Sequence, residues 1–88
     1  NAMREKVSKI LSDMASEYNS PISMHDFRVV KGYASQTKIL FDINVSTEMP
    51  LSNDELYEQI SDEIKKINPL CILILTVDRD YFSQRYES

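Results

Sequence analysis

The chain is poor in residue types that mark several classes of small protein. Its 88 residues include one Cys, one Gly, one His and no Trp. A single thiol, Cys71, makes no intrachain disulfide and no Cys-rich zinc knuckle, which favours a reducing compartment. The lone Gly32 excludes a glycine-rich phosphate loop. No apolar run approaches the roughly 20 residues that span a bilayer, so we expect these residues to be soluble.

Composition and charge narrow the function further. Acidic residues outnumber basic ones by 14 to 10, so no basic stripe is present for phosphate contacts and nucleic acid is not an expected partner. No nucleophile is accompanied by a recognisable base, and we do not expect an enzyme. Residues 1–3 are interpreted as the remnant of a cleaved tag or an arbitrary start, 4–82 as one domain and 83–88 as a C-terminal tail.

Two helices are predicted from apolar residues that recur with helical spacing. The first covers residues 4–18 and ends at the Asn-Ser-Pro sequence of residues 19–21. The second begins at a capping box formed by Ser52 and Glu55 and ends at residues 68–69, Asn-Pro. The apolar faces comprise Val7, Ile10, Leu11, Met14 and Tyr18 in the first helix, and Leu56, Ile60, Ile64 and Ile67 in the second.

Three strands are predicted at residues 22–31, 37–45 and 71–78, which completes the order α-β-β-α-β. A short turn makes the first two strands antiparallel, and a helical crossover makes the second and third parallel. We therefore predict an α+β, two-layer fold with a three-stranded mixed sheet and both helices on one face.

This arrangement leaves the second face of the sheet uncovered. Leu40, Ile72 and Ile74 are expected to point toward it, and an apolar face open to water indicates an interaction surface. We predict a homodimer through this face; the alternative is that residues 81–82, Tyr-Phe, fold back over it. Arg28, near the centre of its strand, is expected to be solvated, paired with Asp26, or paired across the dimer.

The topology also places several polar residues at one rim of the sheet. The first strand starts where the second and third finish, so His25, Asp42 and Asp78 are expected there, and Asp54 joins them at the start of the second helix. Imidazole and carboxylate groups bind zinc, and carboxylates suit harder ions such as manganese. The alternative is a set of solvated acidic side chains, one of which is a favourable partner for the helix dipole.

Three linked segments, HDFRVVKG, KILFDINV and ILTVDRDYF, resemble the cytoplasmic C-terminal domain of cation diffusion facilitator transporters, the cation efflux family. The resemblance covers residues 7–82. It implies a ferredoxin-like, metallochaperone-like fold that dimerises on the cytoplasmic face of a membrane, after a membrane domain of six helices. Members exchange divalent metal, commonly zinc and in some branches manganese, for protons. That transport step belongs to the membrane domain.

The resemblance also assigns metal-ligand positions. His25 matches a metal-binding histidine of the family, whereas Asp42 and Thr76 stand where zinc-binding members have histidines. Asp54 is the nearest match to another histidine, and Asp78 matches a family aspartate. The replacement of imidazole by carboxylate or hydroxyl favours a harder ion, weaker binding or no metal in this domain.

Two functions therefore remain open from the sequence. The first is the dimerising, metal-sensing regulatory domain of a divalent-metal cation/proton antiporter, with the transporter's own membrane domain as a second partner. The second is a free-standing ferredoxin-like sensor of a small molecule or metal. They differ in whether the native reading frame continues upstream into about six membrane-spanning segments.

Overall fold

The computed structural model describes residues 2–79 and 82–87. Two helices and four strands are present in these residues, and a short 3-10 turn at Tyr33–Ser35 joins the first two strands. The elements are α1 (Ala2–Glu17), β1 (Ile22–Lys31), β2 (Thr37–Val45), α2 (Asn53–Ile67), β3 (Cys71–Arg79) and β4 (Phe82–Glu87). The α+β class predicted from the sequence is confirmed.

Both predicted helices form, and most of the predicted apolar stripes are buried. Ile10 and Tyr18 are half-buried, and Ile67, at the end of α2, is 37% exposed. Val7, Leu11 and Met14 of α1 are buried against the sheet, and α1 ends just before Asn19, whose left-handed φ of 49° turns the chain away. The predicted capping box of α2 is also present. The Ser52 Oγ accepts from the Glu55 backbone N–H at 3.1 Å, and the Glu55 carboxylate accepts from the Ser52 N–H at 2.9 Å.

The sheet has the order β1-β2-β3-β4. The pairs β1–β2 and β3–β4 are antiparallel, and β2–β3 is parallel, as predicted for the first three strands. The helices cover one face, which we call the helix face. Its core residues are among the most buried in the chain: Ile39, Phe41 and Ile43 of β2, and Cys71, Leu73, Leu75 and Val77 of β3. The opposite surface of the sheet is the open face.

The prediction of three strands is wrong, because Phe82–Glu87 forms β4 along the edge of β3. Residues 83–87, predicted to be a tail, thus belong to the sheet. The segment FSQRYE is mostly polar and exposed, so it lacks the apolar alternation by which strands are recognised in sequence. Backbone pairing with β3 holds it instead, together with Tyr86, whose ring stacks on Tyr57 of α2 with centroids 5.5 Å apart.

β4 does not cover the apolar residues of the open face. Phe82 is 80% exposed, and Tyr81, the other residue of the predicted cover, lies outside the described residues. None of the helices within residues 2–79 and 82–87 is long and apolar enough to cross a lipid bilayer.

Candidate functional site

The open face carries an apolar patch at one end. Successive side chains of a strand point to opposite faces, so Leu40, Ile72 and Ile74 lie on the open face while their neighbours in the strand point into the core. Val30 of β1 lies on the same face, and its side chain is 48% exposed. We call these four residues the apolar patch. The three residues predicted to form a dimer interface thus lie together on one surface, which neither α1 nor α2 covers.

The other end of the open face is polar. The strand register aligns His25, Asp42, Thr76 and Arg85 in one row across all four strands. A β-bulge between His25 and Arg28 interrupts the pairing of β1 with β2, and Asp26 adopts a left-handed φ of 56° within it. The bulge brings the carboxyl group of Asp26 into hydrogen-bonding reach of Asp42.

The pKa of Asp42, at this polar end, is raised by its surroundings. Burial raises the pKa of its carboxyl group, and the negative charges of Asp26 and Asp78 raise it further, while a hydrogen bond from Thr76 acts in the opposite direction. Asp42 therefore holds a proton to higher pH than an ordinary aspartate. Adding a positive charge here, as a proton or a cation, relieves the repulsion between these acids.

His25 lies beside Asp42 but is turned to solvent. Its side chain is exposed, and the Nε2 atom is 3.2 Å from the Ser23 Oγ, with donor and acceptor set by the tautomer. Asp78 lies one row further along the same face and accepts a hydrogen bond from the Ser83 hydroxyl. The structure therefore places three of the four predicted ligand residues at one end of the open face.

Asp54 does not join them. It opens α2 on the helix side of the sheet, where its carboxylate interacts with the Tyr86 hydroxyl and, after burial, is the second cause of a raised pKa of that tyrosine. Within residues 2–79 and 82–87, no group of three or more His, Cys, Asp or Glu side chains is close enough to hold a metal ion. These residues in one chain do not fit a complete site for a resident metal, and cation binding at His25 stays a prediction.

A second polar cluster, around Arg79, has no sequence signal of its own. The guanidinium donates to the carbonyl oxygens of Met49 at 3.1 Å and Leu51 at 2.7 Å, and to the Asn53 Oδ1 at 3.2 Å. Asn53 in turn donates to the Gln84 Oε1 at 3.0 Å. A depression of about 400 Å³ lies beside this cluster, but Arg79, the one cation among its described lining residues, already donates to three oxygens of the chain. The cluster therefore has a structural role, which is to tie the end of β3 to the start of α2.

Two further features, the thiol of Cys71 and the groove between α1 and α2, also have structural explanations. Cys71 is buried at the start of β3, and burial raises the pKa of its thiol, so it behaves as a small apolar residue. The groove of about 800 Å³ between α1 and α2 contains Tyr18 and Gln59, which hydrogen-bond to each other across the helices. Its rim carries both signs of charge.

No family model, no curated protein and no solved structure matches this chain.

Proposed function

We propose that this chain is the dimerising, regulatory domain of a divalent-metal cation/proton antiporter of the cation diffusion facilitator family, located on the cytoplasmic face of the membrane. The observation that carries the proposal is the apolar patch on the sheet face opposite α1 and α2. The order α-β-β-α-β within the fold and the three sequence segments that resemble the family give additional support.

The patch supports a second copy of the chain as the occupant. A domain of 88 residues buries a smaller share of its surface than a larger one, so added burial through a partner stabilises it. Contiguous apolar side chains at one end of an uncovered sheet face are a typical contact surface. Two such sheets pack face to face with interlocking side chains, as in a β-sandwich.

Regulation follows from the acids on the same face. In a face-to-face dimer, Asp26, Asp42 and Asp78 of each subunit are brought to the junction between subunits, where their mutual repulsion opposes close approach. A cation or proton that reduces this repulsion favours the closer arrangement and so shifts the population between two spacings. Transport itself is the work of the membrane domain in such proteins, and this domain reports on the cation.

The experiment that tests the proposal is sedimentation of the chain at micromolar concentration, with Ile74→Asp as the decisive variant. We expect the unsubstituted chain to dimerise. Ile74→Asp buries an unpaired carboxylate in each subunit, which costs at least about 1.5 kcal/mol per copy and weakens dimerisation roughly 100-fold or more. Ile67→Asp is the matched control, because Ile67 ends α2, on the helix side of the sheet, and is 37% exposed.

A strict monomer at every concentration contradicts the proposal, as does an equal effect of the two substitutions. The transporter assignment has its own check, which is the native reading frame upstream of Met3. About six hydrophobic segments of membrane-spanning length are expected there. Their absence would favour the free-standing sensor instead.

A further inference from the structure

The outer strands of the open face carry opposite charges at matching positions. In one row, Arg28 of β1 and Glu87 of β4 lie at the two ends, with Leu40 and Ile74 between them. In the neighbouring row the signs are reversed. There β1 presents Asp26 in the bulge beside His25, and β4 presents Arg85.

This reversal is the pattern that one particular two-fold dimer requires. A two-fold axis in the interface, parallel to the strands and midway between β2 and β3, lays β1 of one subunit over β4 of the other. Arg28 then lies over Glu87 of the partner subunit, and Leu40 lies over Ile74 of the partner subunit. The neighbouring row aligns His25, with Asp26 beside it in the bulge, with Arg85 of the partner subunit.

The apolar patch distinguishes this axis from the main alternative. An axis perpendicular to the strands, between the two rows, also pairs charges of opposite sign. It would, however, place Leu40 over Asp42 of the partner subunit and Ile74 over Thr76 of the partner subunit. That arrangement buries a carboxylate against an apolar side chain, which is costly. The parallel axis matches apolar with apolar in the row of Leu40 and Ile74. In the row beyond, it places Lys38 over Ile72 of the partner subunit, where the apolar stem of the lysine makes the contact and its ammonium group extends to solvent past the end of the sheet.

We propose that two copies of this chain pack open face to open face about a two-fold axis parallel to the strands, with Arg28 of each copy paired to Glu87 of the other. This inference rests on the dimer of the proposed function and adds its orientation. Twisted sheets cross at about 30° in such packing, which displaces the outer strands by roughly 4 Å. Arginine and glutamate side chains are long enough to span that displacement.

The two residues are available for this contact. Within the described residues Arg28 makes no ion pair. Glu87 is paired with Arg85 of its own strand, from Oε1 to Nε at 3.1 Å, but both side chains are more than half exposed. An exposed pair of this kind contributes little and can rearrange on binding. Within one chain, Arg28 and Glu87 are three strand spacings apart, about 14 Å, so they do not reach each other.

The test is a charge exchange followed by sedimentation at constant ionic strength. We expect Arg28→Glu and Glu87→Arg each to weaken dimerisation about tenfold or more, because each places like charges opposite one another in two copies. The double variant restores opposite charges and keeps the net charge, so its dissociation constant should return to within about threefold of the unsubstituted value. An equimolar mixture of the two single variants should also dimerise, which keeps the test valid if the double variant folds poorly.

The matched control exchanges charge on the helix layer. Lys65→Glu and Glu58→Lys, on exposed positions of α2, change the net charge by the same amounts and should leave dimerisation unaltered. A double variant weaker than either single variant overturns the inference in favour of the perpendicular axis. If the unsubstituted chain dimerises and neither the double variant nor the mixture is restored, this orientation is wrong while the proposed dimer stands. A monomeric unsubstituted chain overturns both.

Discussion

Replacement of Arg79 by Met should destabilise the fold more than its position at the end of a strand suggests. The side chain is half-buried and donates to two backbone carbonyl oxygens and to Asn53 at the start of α2. Met49 and Leu51, which supply the carbonyls, are only 4% and 8% exposed. Methionine has a similar length and apolar stem, so it removes the donors with little change in packing.

The expected loss follows from these contacts. A hydrogen bond from a charged donor contributes about 1.5–3 kcal/mol when it is shielded from water. Because Arg79 is only half-buried, water can replace part of what is lost, and the three bonds are not additive. We therefore expect Arg79→Met to lower the free energy of unfolding by about 2–3 kcal/mol, out of a total of about 4–13 kcal/mol for a chain of this length.

Urea denaturation at fixed protein concentration measures this change. Arg79→Lys should recover about half of the loss, because one ammonium group keeps the charge but cannot reproduce the forked geometry. Lys6→Met, on the exposed surface of α1, is the control and should shift stability by less than about 0.5 kcal/mol. Hydrogen exchange should also show faster opening of the first turn of α2 in Arg79→Met. A loss below about 0.5 kcal/mol for Arg79→Met would refute this account of the cluster.

Two further predictions concern the polar end of the open face. His25→Ala should weaken any binding of zinc or manganese measured by calorimetric titration, because it removes the imidazole ligand. Equal affinity of the two chains would contradict the ligand role. The pKa of Asp42 is raised by burial and by Asp26 and Asp78, so the folded chain holds this proton to higher pH than the unfolded chain does. The folded chain therefore loses stability as pH rises from the ordinary aspartate pKa through the raised pKa of Asp42. Asp42→Asn should therefore raise the free energy of unfolding, measured in urea at pH 7 and fixed protein concentration. The gain should vanish once pH falls below the ordinary aspartate pKa of 3.8. A variant that is less stable than the unsubstituted chain at pH 7 would show the reasoning to be wrong.

Most of the two layers could be predicted from local patterns. The stripe of Val7, Leu11 and Met14 repeats with the helical period, and β2 alternates so regularly that its two faces are readable from sequence. The ends of α2 are encoded by short-range chemistry, namely the Ser52 and Glu55 box and the Asn-Pro pair that follows. Each of these signals lies within a few neighbouring residues.

β4 and the Arg79 cluster could not be predicted in this way. The strand FSQRYE has no apolar alternation, because an edge strand is held by backbone hydrogen bonds that any side chain permits. The partners of Arg79 lie 26–30 residues earlier in the chain and are mostly backbone carbonyls, which carry no residue-specific signal. Asp54 is the opposite case. It follows β2 closely in the chain and is expected at the rim with the other acids, but the structure places it on the helix side of the sheet.

The amino-acid sequence by itself determined the two helices, the first three strands and the apolar character of both sheet faces, because periodicity within a segment is a local property. Only the tertiary structure decided which residues share a row across the sheet. The bulge at Asp26 and the pairing of β4 with β3 set that register, and they align Arg28 with Glu87 across four strands. Register between strands depends on contacts far apart in the chain, so the charge pattern of the open face emerges only when the sheet is formed.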